Sequence, residues 1–394
     1  MKLPKNTFYK YVFLEIFKKA KSRICQIKIG DIKKMAILVT GGTGFVGGNL
    51  VEELIGNKEK WGINPKEIFI LIRENSNIDN LKKLGVEFRI GDLEKPETLT
   101  KAVKGISIIF HLGAVVLDQS PPELLHKVNV LGTQALLDAF VKEKTAKKFV
   151  FVSTWGVYGY KVKPKPMKET QPFEPTTEYH KSKVEAEKIV WRYHDEYNLP
   201  VVVARLPMIL GPGDTLSTPR VVQAFFDKKV KFIGNGKNKF SGVHVRDAAN
   251  AIITMGLKKE GNASAYNVKS FDISQKDYWE IHMKAINYNE KIPTFPHWLA
   301  MFYAWTKEVS AKIKGSGKPT LTRHRVMRFG NTRILDISKI QNDFNWEPKH
   351  ADGRKVIYDA IDWLEKNNFI DYENKKVLLL RRWEDHFIRN KNEK

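Results

Sequence analysis

The sequence Thr40-Gly41-Gly42-Thr43-Gly44-Phe45-Val46-Gly47 decides the fold. It follows the apolar run Ala-Ile-Leu-Val at 36–39, which predicts a buried strand, and it leads into an amphipathic stretch at 45–56, which predicts a helix. In such a loop Gly41 permits a tight turn, Gly44 lets the backbone approach a phosphate, and Gly47 lets helix and strand pack closely. Strand, glycine loop and helix in this order predict a dinucleotide-binding loop formed by Gly41, Thr43, Gly44, Phe45, Val46 and Gly47.

The rest of the first half repeats this strand–helix alternation. Short apolar runs predict strands at 36–39, 68–72, 86–90, 106–110, 148–152 and 201–204. Longer amphipathic stretches predict helices at 45–56, 97–104, 123–144 and 178–197. The alternation predicts an α/β fold, a doubly wound parallel sheet of the Rossmann type with right-handed crossovers. After Pro207 the pattern is irregular, which predicts a smaller C-terminal substrate lobe at the carboxyl ends of the strands.

We therefore expect four segments. They are an N-terminal extension at 1–34, a dinucleotide-binding Rossmann domain at 35–206, a mainly substrate-binding lobe at 207–368 with elements returning to the Rossmann core, and a basic C-terminal tail at 369–394. The extension mixes aromatic residues with lysines. Two interpretations of it stay open: it is a peripheral membrane or partner contact, or translation begins at Met35.

Composition narrows the classes of protein. The 394 residues are 42% hydrophobic and 28% charged, as in ordinary soluble proteins. The net charge of +23 is spread along the chain, which favours a generally basic protein over dedicated nucleic-acid binding. A single cysteine, Cys25, excludes an internal disulfide and fits a reducing cytoplasm. The ten histidines lack ligand spacing, so no metal site is predicted.

Three further strand ends carry candidate cofactor ligands. Arg73 follows the second predicted strand, where an acidic residue would bind the ribose hydroxyls of NAD; its guanidinium instead suits the 2′-phosphate of NADP(H). NADP(H) is therefore the expected cofactor, with NAD(H) as the alternative. The alternative role for Arg73 is that of a solvated surface arginine that binds no cofactor. Asp92 and Leu93 follow the third strand. Leu112, Gly113 and Ala114 follow the fourth.

A tyrosine and a lysine form the candidate catalytic pair. Tyr179 and Lys183 are four residues apart, and therefore lie on one face of the predicted helix. A tyrosine hydroxyl has a pKa near 10, and a neighbouring ammonium lowers it toward the range useful for proton transfer. Ser153 and Thr154, at the end of the fifth strand, supply a hydroxyl that can hold a substrate oxygen against Tyr179.

In these motifs the chain resembles the extended short-chain dehydrogenases/reductases, or NAD-dependent epimerase/dehydratase family, over about Met35 to Asn368. The resemblance also rests on Asn129-Val130-Leu131-Gly132-Thr133, Arg205-Leu206-Pro207 with Gly211-Pro212-Gly213-Asp214, and Val243-His244-Val245-Arg246-Asp247. It implies an oxidoreductase in which Thr154, Tyr179 and Lys183 are catalytic. It implies cofactor contacts from Asn129, Leu112, Gly113, Ala114, Ser153, Tyr179, Lys183 and Pro207. It also implies a homodimer formed through the 123–144 and 178–197 helices.

Within the family, two departures bear on the substrate. Trp155-Gly156 replaces the Asp-Glu pair typical of nucleotide-sugar dehydratases, and Met208 replaces an asparagine typical of sugar epimerases. The segment from Leu321 to Lys339 resembles 3β-hydroxysteroid dehydrogenase-like and dihydroflavonol reductase-like members. The expected substrate is therefore a small hydrophobic alcohol or ketone of sterol, isoprenoid or flavonoid type. A nucleotide-sugar epimerase or reductase is the alternative, and a non-catalytic dinucleotide sensor ranks last because Tyr179 and Lys183 are both present.

The stretch from Trp298 to Trp305 is apolar on all sides of a helix. Three interpretations stay open for it: a buried helix of the lobe, a hydrophobic substrate entrance, and a peripheral membrane contact.

Overall fold

The computed structural model describes residues 35–117, 120–160, 165–314 and 321–379. The predicted N-terminal extension and the end of the predicted basic tail, 380–394, lie outside the described residues. Among the described residues, no helix is long and apolar enough to span a bilayer, and no cluster of three or more candidate ligands could hold a metal ion.

A seven-stranded parallel sheet forms the centre of the molecule. Its strands are β1 (Ile37–Thr40), β2 (Ile68–Ile72), β3 (Glu87–Ile90), β4 (Ile108–His111), β5 (Lys148–Thr154), β6 (Val201–Leu206) and β10 (Ser264–Asn267). They are ordered β10-β6-β5-β4-β1-β2-β3, and every neighbouring pair is parallel. The doubly wound sheet predicted from the alternating pattern is confirmed.

Helices cover both faces of this sheet. They are α1 (Phe45–Gly56), α2 (Lys58–Trp61), α3 (Asp79–Lys82), α4 (Leu99–Ala102), α5 (Pro122–Leu125), α6 (Gly132–Phe140), α7 (Glu178–Tyr197), and, returning from the lobe, α9 (Val245–Leu257). A π-helical segment, His126–Leu131, joins α5 to α6, and 3₁₀ turns lie at Pro65–Glu67, Pro96–Thr98 and Trp155–Tyr158. The predicted 123–144 helix is thus interrupted by a π segment, and the predicted 97–104 helix shortens to α4.

The lobe is built around a small sheet of β7 (Met208–Leu210), β9 (Lys239–His244) and β11 (Phe271–Ser274). Two minor pairs accompany it: β8 (Phe232–Ile233) with β12 (Thr294–Phe295), and β13 (Ile370–Asp371) with β14 (Lys376–Val377). Its helices are α8 (Ser217–Phe226), α10 (Gln275–Ala285), α11 (His297–Ile313), α12 (Arg323–Gly330), α13 (Ser338–Phe344) and α14 (Gly353–Lys366).

The structure differs from one expectation for the lobe and excludes one of the three interpretations of the stretch from Trp298 to Trp305. The start of the predicted C-terminal tail is part of the lobe, because Val377 and Leu379 are buried in its core and the Val377 N–H donates to Gln223 Oε1 at 2.9 Å. The reading of α11 as a buried helix is wrong: only Ala300 and Ala304 are buried in it, while Trp298 is 70% exposed. Small residues, not the aromatic ones, face the protein here.

Candidate active site

The glycine loop after β1 is closed on itself and on the loop after β4. Gly41 has φ +71°, and a Cβ there would lie 2.8 Å from the backbone nitrogen of Gly113. The Gly44 N–H donates to the Gly41 carbonyl at 3.0 Å. A Cβ on Gly47 would overlap the same carbonyl oxygen. These close approaches leave no room for larger residues, as the sequence predicts for Gly41 and Gly47.

The first turn of α1 is open to an anion. Helix α1 begins at Phe45, its N-cap Gly44 supplies no side-chain hydrogen bond, and no acidic residue lies in the first turn. Thr43 and Gly44 are exposed, whereas Phe45 and Val46 are half-buried. Backbone N–H groups at such a helix start favour a phosphate. The loop therefore fits the pyrophosphate of a dinucleotide.

The ends of β2 and β3 provide the next predicted cofactor ligands. Arg73 is the first residue after β2 and its side chain is exposed. Asp92 Oδ1 accepts a hydrogen bond from the Glu94 N–H at 3.0 Å, so this carboxylate also closes a turn. Leu93 is buried, and its carbonyl oxygen would lie 2.7 Å from a Cβ on Gly132. The three residues thus lie at the carboxyl edge of the sheet, after β2 and β3.

A buried histidine organises the loop after β4. The His111 Nδ1 is 2.7 Å from Thr40 Oγ1 and its Nε2 is 2.9 Å from Thr133 Oγ1. The Gly113 N–H also donates to Thr40 Oγ1, at 2.9 Å. Burial, and next the charge of Lys183, lower the pKa of His111 to about 3, so its ring is neutral. His111 thereby holds the half-buried residues Leu112, Gly113 and Ala114 against the glycine loop.

Asn129, in the π-helical segment, connects this loop to α7. Its Oδ1 accepts from the Val115 N–H at 2.8 Å, and its Nδ2 donates to the Val115 carbonyl and to Ser182 Oγ at 2.9 and 3.0 Å. The Ser182 hydroxyl donates to the Tyr179 carbonyl at 2.8 Å. The structure therefore uses the predicted cofactor residue Asn129 to fix the turn of α7 that carries Tyr179 and Lys183.

The three predicted catalytic residues come from two neighbouring elements. Thr154 ends β5, and its Oγ1 accepts from the Gly156 N–H at 3.1 Å, which orients the hydroxyl without using its proton. Helix α7 starts one residue before Tyr179, capped by the Thr177 side chain, and carries Lys183 one turn later. Tyr179 is half-buried and Lys183 is buried. A tyrosine hydroxyl, a threonine hydroxyl and an ammonium are the groups needed for proton exchange with an alcohol or carbonyl oxygen.

The ammonium of Lys183 is held in an unusual environment. It lies 4.0 Å from the centre of the Phe151 ring. Burial lowers the pKa of Lys183 to about 7, although the charge of Glu187 acts in the opposite direction. Glu187 is fully buried, forms an ion pair with Arg205 and accepts from the Ser153 hydroxyl at 3.0 Å. The Ser153 hydroxyl is thus committed to the protein, while Lys183 can change protonation near neutral pH.

Two residues near the site were not predicted. His180 packs its ring so closely on Gly156 that a Cβ on the glycine would overlap it, and the His180 and Tyr160 rings are 6.1 Å apart. Arg333 is fully buried between Trp155 and Tyr160, with its guanidinium carbon 3.9 and 4.0 Å from the two ring centres. The position of His180 next to Tyr179 is a weak signal for it. Arg333 lies in the Leu321–Lys339 segment that resembles 3β-hydroxysteroid dehydrogenase-like members, but nothing in that segment singles it out as a site residue.

Arg333 is a distinctive polar group of this region. Its guanidinium interacts with the Tyr160 hydroxyl, its Nη2 donates to the Trp155 carbonyl at 3.4 Å, and its Nε and Nη1 atoms meet no acceptor in hydrogen-bonding geometry among the described residues. Burial lowers the pKa of Arg333 to about 10, so it remains charged at neutral pH. The guanidinium packs on Trp155, the residue that follows Thr154. A buried guanidinium with unused donors is suited to bind an anionic or carbonyl oxygen.

The last predicted cofactor residue, Pro207, is buried between β6 and β7. Downstream, Gly213 approaches the glycine loop, since a Cβ there would lie 3.4 Å from the Phe45 ring. Asp214 stabilises that turn by accepting from the N–H groups of Leu216, Ser217 and Thr218 at 2.8–2.9 Å. The lobe thus begins directly over the first turn of α1.

Comparison with known proteins agrees with this architecture. Residues 37–268 match the family described as NAD dependent epimerase/dehydratase family. Mouse sterol-4-alpha-carboxylate 3-dehydrogenase, decarboxylating, is 26% identical over 333 residues, covering 81% of this chain and 88% of its own. A ketoreductase of Stigmatella aurantiaca that acts on 4-hydroxy-2-methyl-3-oxo-4-farnesyl-3,4-dihydroquinoline-1-oxide is 28% identical over 229 residues, covering 58% of this chain and 66% of its own.

Among solved structures, the UDP-glucose 4-epimerase of Thermotoga maritima, crystallised with UDP-glucose, superposes with a TM-score of 0.66 at 22% identity. The match covers 85% of this chain and all of the epimerase. At this identity the likeness concerns the fold.

Proposed function

The chain belongs to the NAD-dependent epimerase/dehydratase family, the extended short-chain dehydrogenases/reductases, and from that premise we propose a specific reaction. The protein transfers a hydride between NADP(H) and a secondary alcohol or ketone on a small hydrophobic substrate of sterol, isoprenoid or flavonoid type. The bound nicotinamide supplies or accepts the hydride. Side chains of the protein transfer the proton and position the substrate oxygen.

The position of Tyr179 and Lys183 one turn apart on α7, with Thr154 at the end of β5, supports the following catalytic roles. In the reducing direction Tyr179 donates its phenolic proton to the carbonyl oxygen, and Thr154 donates a hydrogen bond to the same oxygen. In the oxidising direction Tyr179 accepts the proton of the alcohol. Lys183 stabilises the ionised form of Tyr179 and orients the cofactor ribose. Because its pKa is about 7, the ammonium can also return a proton to Tyr179 near neutral pH.

Cofactor binding is proposed at the residues of the sheet edge. They are Gly41, Thr43, Gly44, Phe45, Val46, Gly47, Arg73, Asp92, Leu93, Leu112, Gly113, Ala114, Asn129, Ser153, Tyr179, Lys183 and Pro207. The preference for NADP(H) over NAD(H) rests on Arg73. It is exposed and immediately follows β2. A guanidinium at this place can form charge-assisted hydrogen bonds to a 2′-phosphate.

The substrate class rests on Met208. This residue is 7% exposed and belongs to the hydrophobic core of the lobe, so the position offers no polar contact to a sugar. The names of the mouse and Stigmatella relatives, a sterol-carboxylate dehydrogenase and a ketoreductase of a farnesylated quinoline, support the same class. A hydrophobic ketone or alcohol has only one oxygen that needs a hydrogen bond, and its binding is stabilised by burial of its large apolar surface.

One structural observation favours the nucleotide-sugar alternative, which is also supported by the name of a relative, the dTDP-D-glucose 4,6-dehydratase of Dictyostelium discoideum, 30% identical over 272 residues. The unused donors of Arg333 are suited to a pyrophosphate or a sugar hydroxyl. They are equally suited to a carboxylate on a hydrophobic substrate, and this second use agrees with the buried Met208. We therefore retain the epimerase or reductase of nucleotide sugars as the second candidate.

A homodimer is proposed through the surface of the π-helical segment and α7. A depression there is lined by His126, Val130, Leu131, Gln134, Glu185, Lys188, Ile189 and Arg192. Leu131 is 46% exposed at its edge and would be covered by a partner subunit there. A cytoplasmic location remains the expectation drawn from the single cysteine.

A turnover assay tests the proposed function. Purified protein is incubated with NADPH or NADP⁺ and a panel of hydrophobic ketones and alcohols, and cofactor oxidation or reduction is followed by absorbance. We expect turnover with members of this panel and a loss of about a hundredfold or more in Tyr179→Phe, with cofactor affinity nearly unchanged. Near wild-type turnover in Tyr179→Phe would refute the catalytic assignment.

A further inference from the structure

Helix α11 exposes a continuous apolar stripe. Trp298, Phe302, Trp305, Val309 and Ile313 are spaced four, three, four and four residues apart, so they lie along one helical face. Their exposed fractions are 70, 56, 46, 37 and 80%. The opposite side is attached to the lobe through Ala300 and Ala304, which pack with Val326 of α12.

This stripe differs from ordinary surface hydrophobicity. Of the thirteen large hydrophobic residues exposed among the described residues, six are on α11, namely the stripe and Tyr303. Single exposed apolar residues need no explanation, but a contiguous row of them marks a surface that contacts something apolar.

The charges beside the stripe are mostly positive. Residues 297–314 and 321–330 contain six basic side chains and one acidic, a net charge of +5: Lys307, Lys312, Lys314, Arg323, Arg325 and Arg328 against Glu308. Glu308 is itself neutralised by Arg323, whose Nε is 2.7 Å from Glu308 Oε2. The Lys307 ammonium lies 5.2 Å from the ring centre of Tyr303, the sixth exposed apolar residue of α11.

We propose that α11 is an interfacial helix that lies in the surface of an anionic lipid bilayer. Large aromatic and aliphatic side chains on one face with lysines at its margin are the pattern of such helices. Its seventeen residues give a face about 25 Å long. A second copy of the chain is the poorer occupant, because symmetric contact would bring two +5 surfaces together. Anionic headgroups instead neutralise that charge.

The site is one helix away from this surface. Helix α12 packs on α11, and its His324 ring lies 4.8 Å from the Tyr160 ring and 5.7 Å from the His180 ring. His180 is next to Tyr179. If the proposed function holds, a hydrophobic substrate dissolved in the bilayer reaches the catalytic tyrosine from this side, and this delivery route alone rests on the proposed function.

Vesicle binding of the full chain tests the interfacial helix. Co-sedimentation is measured with vesicles of phosphatidylcholine alone and with vesicles containing about one third phosphatidylglycerol. We expect binding to the anionic vesicles, weakened by salt, and a reduction of about tenfold or more in Trp298→Ser/Phe302→Ser/Ile313→Ser. The matched control, Tyr197→Ser/Tyr358→Ser/Leu378→Ser, removes three exposed hydrophobic residues elsewhere and should bind as the wild type does.

The proposal would be overturned if the wild type bound neither kind of vesicle. It would also be overturned if both triple variants lost vesicle binding to the same extent. A stripe variant that keeps vesicle binding but dissociates to a smaller species in light scattering would overturn it too, since the occupant would then be a second copy. Failure of turnover with every hydrophobic substrate would refute the proposed function, while vesicle binding would be unaffected by that result.

Discussion

The imidazole of His180 occupies the space that a side chain at Gly156 would need. A Cβ on Gly156 would overlap Nε2 and Cδ2 of the ring and lie 2.8 Å from Cε1. Gly156 belongs to the turn that receives the Thr154 side chain as its cap, and His180 follows Tyr179 in α7. This contact joins the turn capped by Thr154 to the first turn of α7, which carries Tyr179, so it links the two residues whose hydroxyls we propose to be catalytic.

Gly156→Ala should therefore impair catalysis as well as stability. The added methyl must move either the turn or α7, and overpacking of this kind costs about 1–3 kcal/mol. We expect turnover to fall by about tenfold or more, because displacement of catalytic groups by fractions of an ångström has large effects. Turnover and denaturant unfolding measure the two consequences. Gly56→Ala is the control: a Cβ at that helical position meets nothing within 4 Å, so activity should persist.

The sequence predicted six of the seven strands of the sheet because most of them are short apolar runs followed by a helix; it missed β10, which returns from the lobe and is followed by another strand. It also predicted that Tyr179 and Lys183 lie one turn apart on one helix, since their spacing and the helix period are both local, while their catalytic roles stay a prediction. It could not predict His111 bonded to Thr40 and Thr133, or Arg333 buried against Trp155. Those contacts join residues up to 178 positions apart, and only the folded chain brings them together.

Periodicity left the role of one helix open. The apolar run from Trp298 to Trp305 does not show which face of the helix is buried. In the structure the buried face is the one with Ala300 and Ala304, because close packing on α12 needs small side chains at the contact. Hydrophobicity alone does not tell which face of an all-apolar helix meets the protein.

The buried Lys183 predicts a specific pH dependence of stability. Its pKa is about 7 in the folded protein and its reference value is 10.5. Between these values the unfolded chain binds a proton that the folded chain does not, so the free energy of unfolding rises with pH by at most about 1.4 kcal/mol per unit. Below pH 7 both states are protonated, and the full cost of burying the ammonium remains.

Lys183→Met removes this contribution. The stability of the wild type relative to the variant should therefore increase as pH rises from 7 toward 10.5, measured by urea unfolding across that window. Lys148→Met provides a comparison, because burial lowers the pKa of Lys148 to about 8 and its rise should begin correspondingly higher. A wild-type-minus-Lys183→Met difference that is flat with pH would mean that Lys183 keeps its proton in the folded protein.

Arg73 should determine the choice of cofactor. We expect NADPH to bind more tightly than NADH by about 1–3 kcal/mol, the range for charge-assisted hydrogen bonds to a phosphate. Arg73→Asp should remove this preference, and titration of both cofactors by fluorescence measures it. Arg354→Asp makes the same charge change at an exposed position of α14 and should preserve the preference. Equal affinities in the wild type would return Arg73 to the role of a solvated surface residue.

The final prediction decides between a hydrophobic substrate and a nucleotide sugar. Met208 is part of the lobe core, with Leu210 and Phe240 in the same cluster, so no hydrogen bond to a sugar hydroxyl is available from it. A nucleotide sugar bound there would leave polar groups unpaired, at about 1–3 kcal/mol each. UDP- and dTDP-sugars should therefore give no heat of binding in calorimetry with the NADP⁺-loaded protein.

Met208→Asn should lower the free energy of unfolding by about 1–3 kcal/mol, because it buries an unpaired amide, and should still fail to bind these sugars. Two features instead favour binding of an anionic nucleotide sugar: the net charge of +23 and the unused donors of Arg333. Micromolar binding of any nucleotide sugar by the wild type would show that these charges outweigh the apolar core, and it would make the epimerase or reductase of nucleotide sugars the preferred function.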